Sequence, residues 1–334
     1  MKKIMAKKFK CLFCSEKLYK NKYLSHLKDN HRHNYNSLLK EILKLNNAGY
    51  TIKEIENHIP LPEGLISVQL KYLSKNKKNY NIREPLKVDS WAPENFALEA
   101  TTVWSFPERG KWATHNGKYR GNWSPYIPRN IILRYSEEND TVLDQFLGSG
   151  TTLIETKLLK RRGIGVDINS ETVKLSKENL RFNKNKEYQP IIYNADARNL
   201  NFISDNSIDL ICTHPPYANI IKYSKNINGD LSHLNIDKFI IEIRKVAEES
   251  FRVLKNNRYC AILIGDTRKD KHIIPLGFKV MEEFLNAGFV LKETIIKEQH
   301  NCKATGFWYN KSLQYNFLLI AHEYLFVFRK NCNY

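Results

Sequence analysis

The chain has 334 residues, a hydrophobic content of 42% and a formal net charge of +18. That length suggests two or three domains, and the apolar content is enough for a packed core. No run of about 18 apolar residues occurs and the basic start lacks a signal-peptide core, so no membrane span or export signal is expected and the reading is a cytoplasmic protein.

The charge is uneven. Residues 1–90 hold 19 Lys+Arg against 8 Asp+Glu, whereas the other 244 hold 34 against 27. A polyanionic partner is one reading, because lysines that neutralise phosphates release counterions. A composition biased to Lys and Asn is the other.

Residues 1–34 read as a zinc-finger-like module, with the ligand pattern Cys11-x2-Cys14-x11-His26-x4-His31. Paired thiolates followed by paired imidazoles on a short helix form the tetrahedral set that zinc prefers. His33 is an alternative fourth ligand, and Phe13 and Leu24 are expected to supply the small core. Four protein ligands close the site, so the metal would be structural. The bland alternative is a CxxC beside a His-rich helix. Six cysteines in this setting do not suggest a disulfide framework.

Residues 35–80 predict three helices. Leu38, Leu39, Ile42, Leu43 and Leu45 form the first stripe, and Asn46-Asn47-Ala48-Gly49 ends it. Thr51-Ile52-Lys53-Glu54 is a capping box opening the second helix, whose apolar face is Ile52, Ile55 and Ile59. After Pro60–Gly64, a third helix runs from Leu65 to Ser74. This is a helix-turn-helix-like pattern whose third helix would enter a DNA major groove, or else a plain three-helix connector. Residues 81–100, with Pro85 and Pro93, read as a linker. Residues 101–135 are rich in Trp and Tyr.

From there strands and helices alternate. Strands are expected at about 141–145, 162–167, 190–194, 208–213, 258–264, 289–297 and 322–329. Helices are expected at about 150–160, 170–183, 236–255 and 276–287. Asp144-Gln145-Phe146-Leu147-Gly148-Ser149-Gly150-Thr151-Thr152 joins a strand to a helix by a glycine-rich turn, where backbone N–H groups can face a ligand. Such a turn alone would suit a nucleotide or a flavin equally well. Asp167, followed by Ile168, closes the next strand, and Asp196-Ala197 closes the one after it. Thr213-His214-Pro215-Pro216-Tyr217 follows a fourth strand, which its prolines end.

These motifs, in this order, resemble the S-adenosylmethionine-dependent DNA amino-methyltransferases, which modify cytosine N4 or adenine N6. Their signatures are D-P-F-x-G-S-G-T-T and [D/N/S]-P-P-[Y/F], and the resemblance covers roughly Trp104 to Lys330. It implies a methyltransferase domain over residues 101–334. The implied fold is α/β, a Rossmann-like seven-stranded sheet with helices on both faces, its last two strands an antiparallel hairpin. By the same resemblance Asp144, Phe146, Gly148, Ser149, Gly150, Thr151, Thr152, Asp167, Ile168, Asp196 and Ala197 would hold the donor, with Asp167 on the ribose hydroxyls and Asp196 on the adenine amino group. Trp104–Pro107 and Tyr126–Asn130 would border that pocket. His214, Pro215, Pro216 and Tyr217 would form the catalytic tetrapeptide. Its first residue and the following carbonyl accept the amine hydrogens, and its aromatic residue stacks on the extruded base.

Two departures stand out. Gln145 replaces a proline, and His214 stands where adenine enzymes have Asp or Asn and cytosine-N4 enzymes mostly Ser. A neutral imidazole can take one amine hydrogen. Thr213 resembles the Thr-Ser-Pro-Pro-Tyr of cytosine-N4 enzymes, which favours cytosine slightly. None of the six cysteines follows a proline, where a cytosine-C5 enzyme has its nucleophile. The resemblance implies double-stranded DNA as partner, and a restriction endonuclease where such enzymes occur in restriction-modification systems. Residues 298–322, with Phe307, Trp308 and Tyr309, are expected near the base pocket. The rivals are an RNA guanine-N2 methyltransferase and a DNA-binding regulator with an inactive body.

Overall fold

The computed structural model describes residues 7–47, 50–75, 85–225, 227–300 and 304–331. Contacts divide the chain into two compact units, with the boundary between Pro85 and Leu86.

In the first unit, β1 (Lys8–Lys10) and β2 (Lys17–Tyr19) form an antiparallel hairpin, followed by α1 (Lys20–Asn30), α2 (Arg32–Asn47), α3 (Ile52–His58) and α4 (Leu65–Lys75). The Tyr23 ring is fully buried and its hydroxyl donates to the Lys10 carbonyl at 3.0 Å, which ties α1 to the hairpin. Leu18, Tyr23 and Leu27 therefore carry the core here. Leu24 packs only at its edge, and Phe13, expected inside, is 39% exposed. The capping box forms as expected: Glu54 N donates to Thr51 Oγ1 at 3.2 Å and Thr51 N to Glu54 Oε2 at 2.7 Å. Ile55 and Ile59 are buried against Leu39, Ile42 and Ile66, whereas Ile52, in the first turn, faces solvent. Ala48 and Gly49, expected to help end the first of these helices, residues 76–80 of the expected helical region and residues 81–84 of the expected linker lie outside the described residues.

The second unit runs through β3 (Val103–Trp104), α5 (Tyr126–Tyr135), β4 (Thr141–Asp144), α6 (Thr151–Leu158), β5 (Arg162–Asp167), α7 (Ser170–Asn179), β6 (Ile191–Asn194), β7 (Ile208–Thr213) and α8 (Ile236–Val253). It continues with β8 (Leu254–Ile264), a small hairpin of β9 (Thr267–Lys269) and β10 (His272–Ile274), α9 (Leu276–Asn286), β11 (Val290–Glu298), α10 (Ala304–Gln314) and β12 (His322–Arg329). The main sheet has the order β3-β11-β12-β8-β7-β4-β5-β6. All seven expected strands are present, and the last two are the expected antiparallel pair. The sheet nevertheless has eight strands rather than seven, because Val103–Trp104 pairs in parallel with Ile296–Lys297 at the edge.

Alternation along the strands explains the two faces. Leu143, Ile211 and Phe326 point to the side covered by Phe239, Ile243 and Phe284 of α8 and α9. Val142, Leu210 and Leu325 point to the side covered by Ile127 and Ile131 of α5. Residues 86–100, read as linker from their polarity, lie on this unit: Leu86 N donates to the Arg181 carbonyl at 2.6 Å, and Trp91 packs on Phe182.

The parallel order β6-β5-β4-β7-β8 reverses direction of winding between β4 and β7. In open α/β sheets ligands bind outside the carboxyl ends of the strands at such a switch point. Here β4 leads into the glycine-rich turn and β7 leads directly into His214.

Candidate active site

The Asp144 carboxylate joins the two motifs. It is 2% exposed and accepts from Thr152 Oγ1 at 2.5 Å, Thr213 Oγ1 at 2.8 Å and Phe146 N at 3.1 Å. One bond reaches the helix after β4 and another the end of β7, so the strand ends are pinned to one another. Burial raises its carboxyl to about 6, against the three hydrogen bonds, which lower it.

The turn itself needs glycine twice. Gly148 has φ +50° and Gly150 φ +87°, and a Cβ on Gly150 would run into the Ser176 hydroxyl. Gly148 N donates to Asp167 Oδ2 at 3.2 Å and Asn169 N to Asp167 Oδ1 at 2.8 Å. Burial nevertheless lifts the Asp167 carboxyl to about 7. Asp196 differs: burial would raise it, but the Arg198 guanidinium, 2.6 Å from Oδ2, holds it below its usual value.

Asp144, Gly148, Asp167 and Asp196 line a cleft with Phe146, Ile168, Ala197, His214 and Pro216 on its walls. Ser149, Gly150, Thr151, Thr152 and Pro215 do not face it. Ser149 and Thr151 stand behind, the Ser149 carbonyl accepting from Asn179 and the Thr151 hydroxyl bonding Asn122. Among the described residues lining this cleft are four aspartates and no lysine or arginine. That polarity disfavours a phosphate-bearing nucleotide and suits a ligand carrying positive charge.

The opposite wall is Tyr119, Asn122, Trp123, Tyr223 and Asp230. The Trp123 and Tyr119 segment was not singled out in the sequence for this wall; Trp104–Pro107 and Tyr126–Asn130 were. Trp104 is instead buried in the core, Tyr126–Asn130 form the first turns of α5, and Phe106 and Pro107 border a different cleft. The wall is anchored by the fully buried Glu155, which accepts from Trp112 Nε1 at 2.6 Å, His115 Nε2 at 2.7 Å and Arg129 Nη1 at 2.8 Å. Arg109 holds the Asn122 and Trp123 carbonyls at 2.8 and 2.6 Å. No local motif marks these residues, because their role comes from contacts 13 or more residues away.

A second, wider cleft adjoins the first and shares Gly121, Asn122, Trp123, His214 and Tyr223 with it. Its far side carries Arg109, Tyr217, Lys297, His300 and Glu323. The Trp123 ring stacks on His214 at 5.3 Å and 25°. His214 Nε2 lies 2.8 Å from the Tyr217 hydroxyl, which donates to Glu323 Oε1 at 2.6 Å, and Lys297 Nζ donates to Glu323 Oε2 at 2.9 Å. Burial depresses the His214 imidazole to about 4, so the ring is neutral at physiological pH. Phe307, Trp308 and Tyr309, expected near this pocket, sit exposed on α10 and do not line it; the flanking Gln299, His300, Ile320 and His322 do.

In the first unit Cys11, Cys14, His26 and His31 place their ligand atoms within 4.8 Å of one another. His31, not His33, completes the set; His33 is exposed. His31 Nε2 is buried with no hydrogen-bond partner, and Cys14 Sγ lies 3.4 Å from His26 Nε2. An orphaned imidazole nitrogen facing two thiols and a second imidazole fits a tetrahedral metal.

No helix among the described residues is long and apolar enough to cross a membrane. A family model for DNA methylases (N6_N4_Mtase) matches residues 1–178 and 208–334, and a model for the RMKL-like methyltransferase domain matches residues 132–245. The chain is 44% identical over 78 residues to the Type II methyltransferase M2.LlaDCHI of Lactococcus lactis subsp. cremoris, covering 23% of this chain and 27% of that protein. It is 40% identical over 100 residues to the Type II methyltransferase M.HpaI of Haemophilus parainfluenzae, covering 30% and 32%. It is 36% identical over 101 residues to the tRNA (guanine(10)-N2)-dimethyltransferase of Methanothermobacter thermautotrophicus, covering 30% and 29%. The chain thus spans about a third or less of the length of these relatives.

Proposed function

We propose that this chain, which belongs to the DNA methylase family, transfers a methyl group from S-adenosylmethionine to an exocyclic amino group in double-stranded DNA, with cytosine N4 slightly favoured over adenine N6. The observation that carries this reading is the shared wall. An acidic cleft built by the glycine-rich turn and a cleft bearing Arg109 and Lys297 meet at His214 and Trp123.

The residues of the acidic cleft fit the donor. When bound, S-adenosylmethionine supplies a methyl group activated by a sulfonium centre. Asp167 accepts from ribose hydroxyls, Asp196 and Ala197 meet the adenine, and the turn from Phe146 to Gly150 leaves room for close approach. A lining that carries aspartates and no lysine or arginine favours its positive charge.

An exocyclic amine is a poor nucleophile because its lone pair is delocalised into the ring. His214 and the Pro215 carbonyl accept its hydrogens, which localises the lone pair toward the methyl group. Tyr217 and Trp123 offer aromatic faces beside a base that has left the duplex. Cytosine is favoured because Thr213 precedes the tetrapeptide.

In the first unit we assign a structural zinc to Cys11, Cys14, His26 and His31, and DNA contacts to the exposed side of α4, where Val68, Lys71, Tyr72 and Lys75 face solvent. The Type II methyltransferase names of the relatives support a restriction-modification setting, with a cognate endonuclease as partner. The similarity to a tRNA guanine-N2 enzyme supports a second reading, RNA as substrate.

Nucleoside analysis separates the two. The protein is incubated with labelled donor and either unmodified genomic DNA or total tRNA, and the digests are resolved by mass spectrometry. Label in N4-methylcytosine is expected. Label in N6-methyladenine would move the target base, and label in N2-methylguanosine with none in DNA would replace the DNA reading.

A further inference from the structure

We infer that Glu323, acting through Tyr217, is a positioning residue that holds His214 as the tautomer with Nε2 protonated and Nδ1 bare. The argument is a count of protons. Tyr217 has one O–H and two neighbours, Glu323 Oε1 at 2.6 Å and His214 Nε2 at 2.8 Å. An ionised carboxylate can only accept. Lys297 Nζ stands 2.9 Å from the other oxygen of Glu323, and although burial would raise that carboxyl, the lysine charge and the tyrosine bond hold it below its usual value. Burial, together with the Glu323 charge, in turn lifts the Tyr217 phenol well above its usual value, so it keeps its proton.

The single hydroxyl proton therefore lies toward Glu323. The alternative, a phenol donating to His214, would face a carboxylate oxygen with a phenol oxygen at 2.6 Å and no proton between them. With its proton committed, the Tyr217 oxygen has only lone pairs for His214, so Nε2 must carry a hydrogen. A neutral imidazole has one N–H, which leaves Nδ1 as the acceptor. Among the described residues no group bonds Nδ1, and the Trp123 ring stacked on the imidazole limits its rotation.

Sequence alone left open which nitrogen of His214 could serve the amine and what would decide it. Glu323 is the only acidic residue in β12, and it sits 109 positions after His214. Its importance for the reaction rests on the proposed role of His214, but the tautomer does not.

The test uses full-length protein labelled with ¹⁵N at its histidines. Long-range ¹H–¹⁵N correlation at pH 7 reads each ring nitrogen, and His214→Gln identifies the resonance. The wild type should show Nε2 protonated and Nδ1 bare. In Glu323→Gln the amide N–H₂ faces Tyr217 while Lys297 keeps the amide oxygen. The phenol then turns to donate to Nε2, and the hydrogen of the imidazole moves to Nδ1. The turnover of this variant should fall at least about tenfold with an unchanged donor Kd, which also reports that the fold is intact. Tyr217→Phe, which removes the relay while keeping the ring, should give a mixture of tautomers. Nδ1–H in the wild type, or an unchanged tautomer in both variants, would overturn the inference. Because the spectrum needs no substrate, a correct tautomer in a protein that methylates nothing would leave this inference standing and remove only the proposed function.

Discussion

At the scale of single residues, the site depends on groups whose titration is displaced by burial, and the displacements have opposite consequences. Histidine ordinarily charges near 6.5, but His214 is held to about 4. Its acceptor nitrogen therefore survives acidification, and turnover at saturating donor and DNA should stay flat from pH 8 to 5. Asp167 behaves otherwise. Its carboxyl is raised to about 7, so the proposed acceptor for the ribose hydroxyls loses its charge as pH falls through 7. Donor affinity should weaken about tenfold between pH 8 and pH 6, following the ionised fraction. Calorimetric titration of donor at pH 6, 7 and 8 checks the second statement, and saturated turnover from pH 8 to 5 checks the first. A turnover that drops near 6.5 would mean that His214 is not shielded. Much of this residue set was legible in the sequence, since the glycine-rich turn, Asp167, Asp196 and the Thr-His-Pro-Pro-Tyr segment carry local signatures. Trp123, Glu155 and Glu323 were not, because each works through partners distant in the chain. Glu323 did leave one trace, a lone acid in the apolar run of β12.

At the scale of elements, local signals located most strands and helices well. The capping box at Thr51 and the seven expected strands, bounded by turns and apolar enough to be covered on the sheet's faces, are examples. They failed where tertiary contacts create the element. Val103–Trp104 is a strand only because β11 offers its edge, and residues 86–100 are polar but bond to Arg181 and Asn130. The β1–β2–α1 element is the case in which the proposed metal would decide. Its own apolar core is little more than Leu18, Tyr23 and Leu27, and a closed zinc site contributes folding energy directly. Cys14→Ser, or treatment with a strong chelator, should therefore melt this element and weaken DNA binding while leaving donor Kd unchanged. Metal analysis of the purified protein should give one zinc per chain. DNA affinity that survives complete loss of metal would separate the module from recognition.

For the whole molecule, the charge distribution predicts a division of labour between the two units. The first 90 residues carry +11 of the net +18, and the donor cleft lies wholly in the second unit. Deleting residues 1–85 should leave donor Kd unchanged, weaken DNA binding, and flatten the dependence of log K on log salt as phosphate contacts are lost. Full site-specific methylation by the truncated protein would assign recognition to the second unit. The linear order of motifs gave the fold class in advance, but not the meeting of the two clefts. That follows from strand order, since β4 and β7 are neighbours in the sheet although more than sixty residues apart in the chain.

The central claim is that methyl donor and amino target meet across His214. It is tested most directly by single-turnover transfer of labelled methyl to unmodified DNA by the wild type and His214→Ala, with donor Kd measured on both proteins. The account predicts that the wild type labels DNA, and that the variant binds donor with unchanged affinity but transfers at least about a hundredfold more slowly. Equal transfer by the two proteins would contradict it.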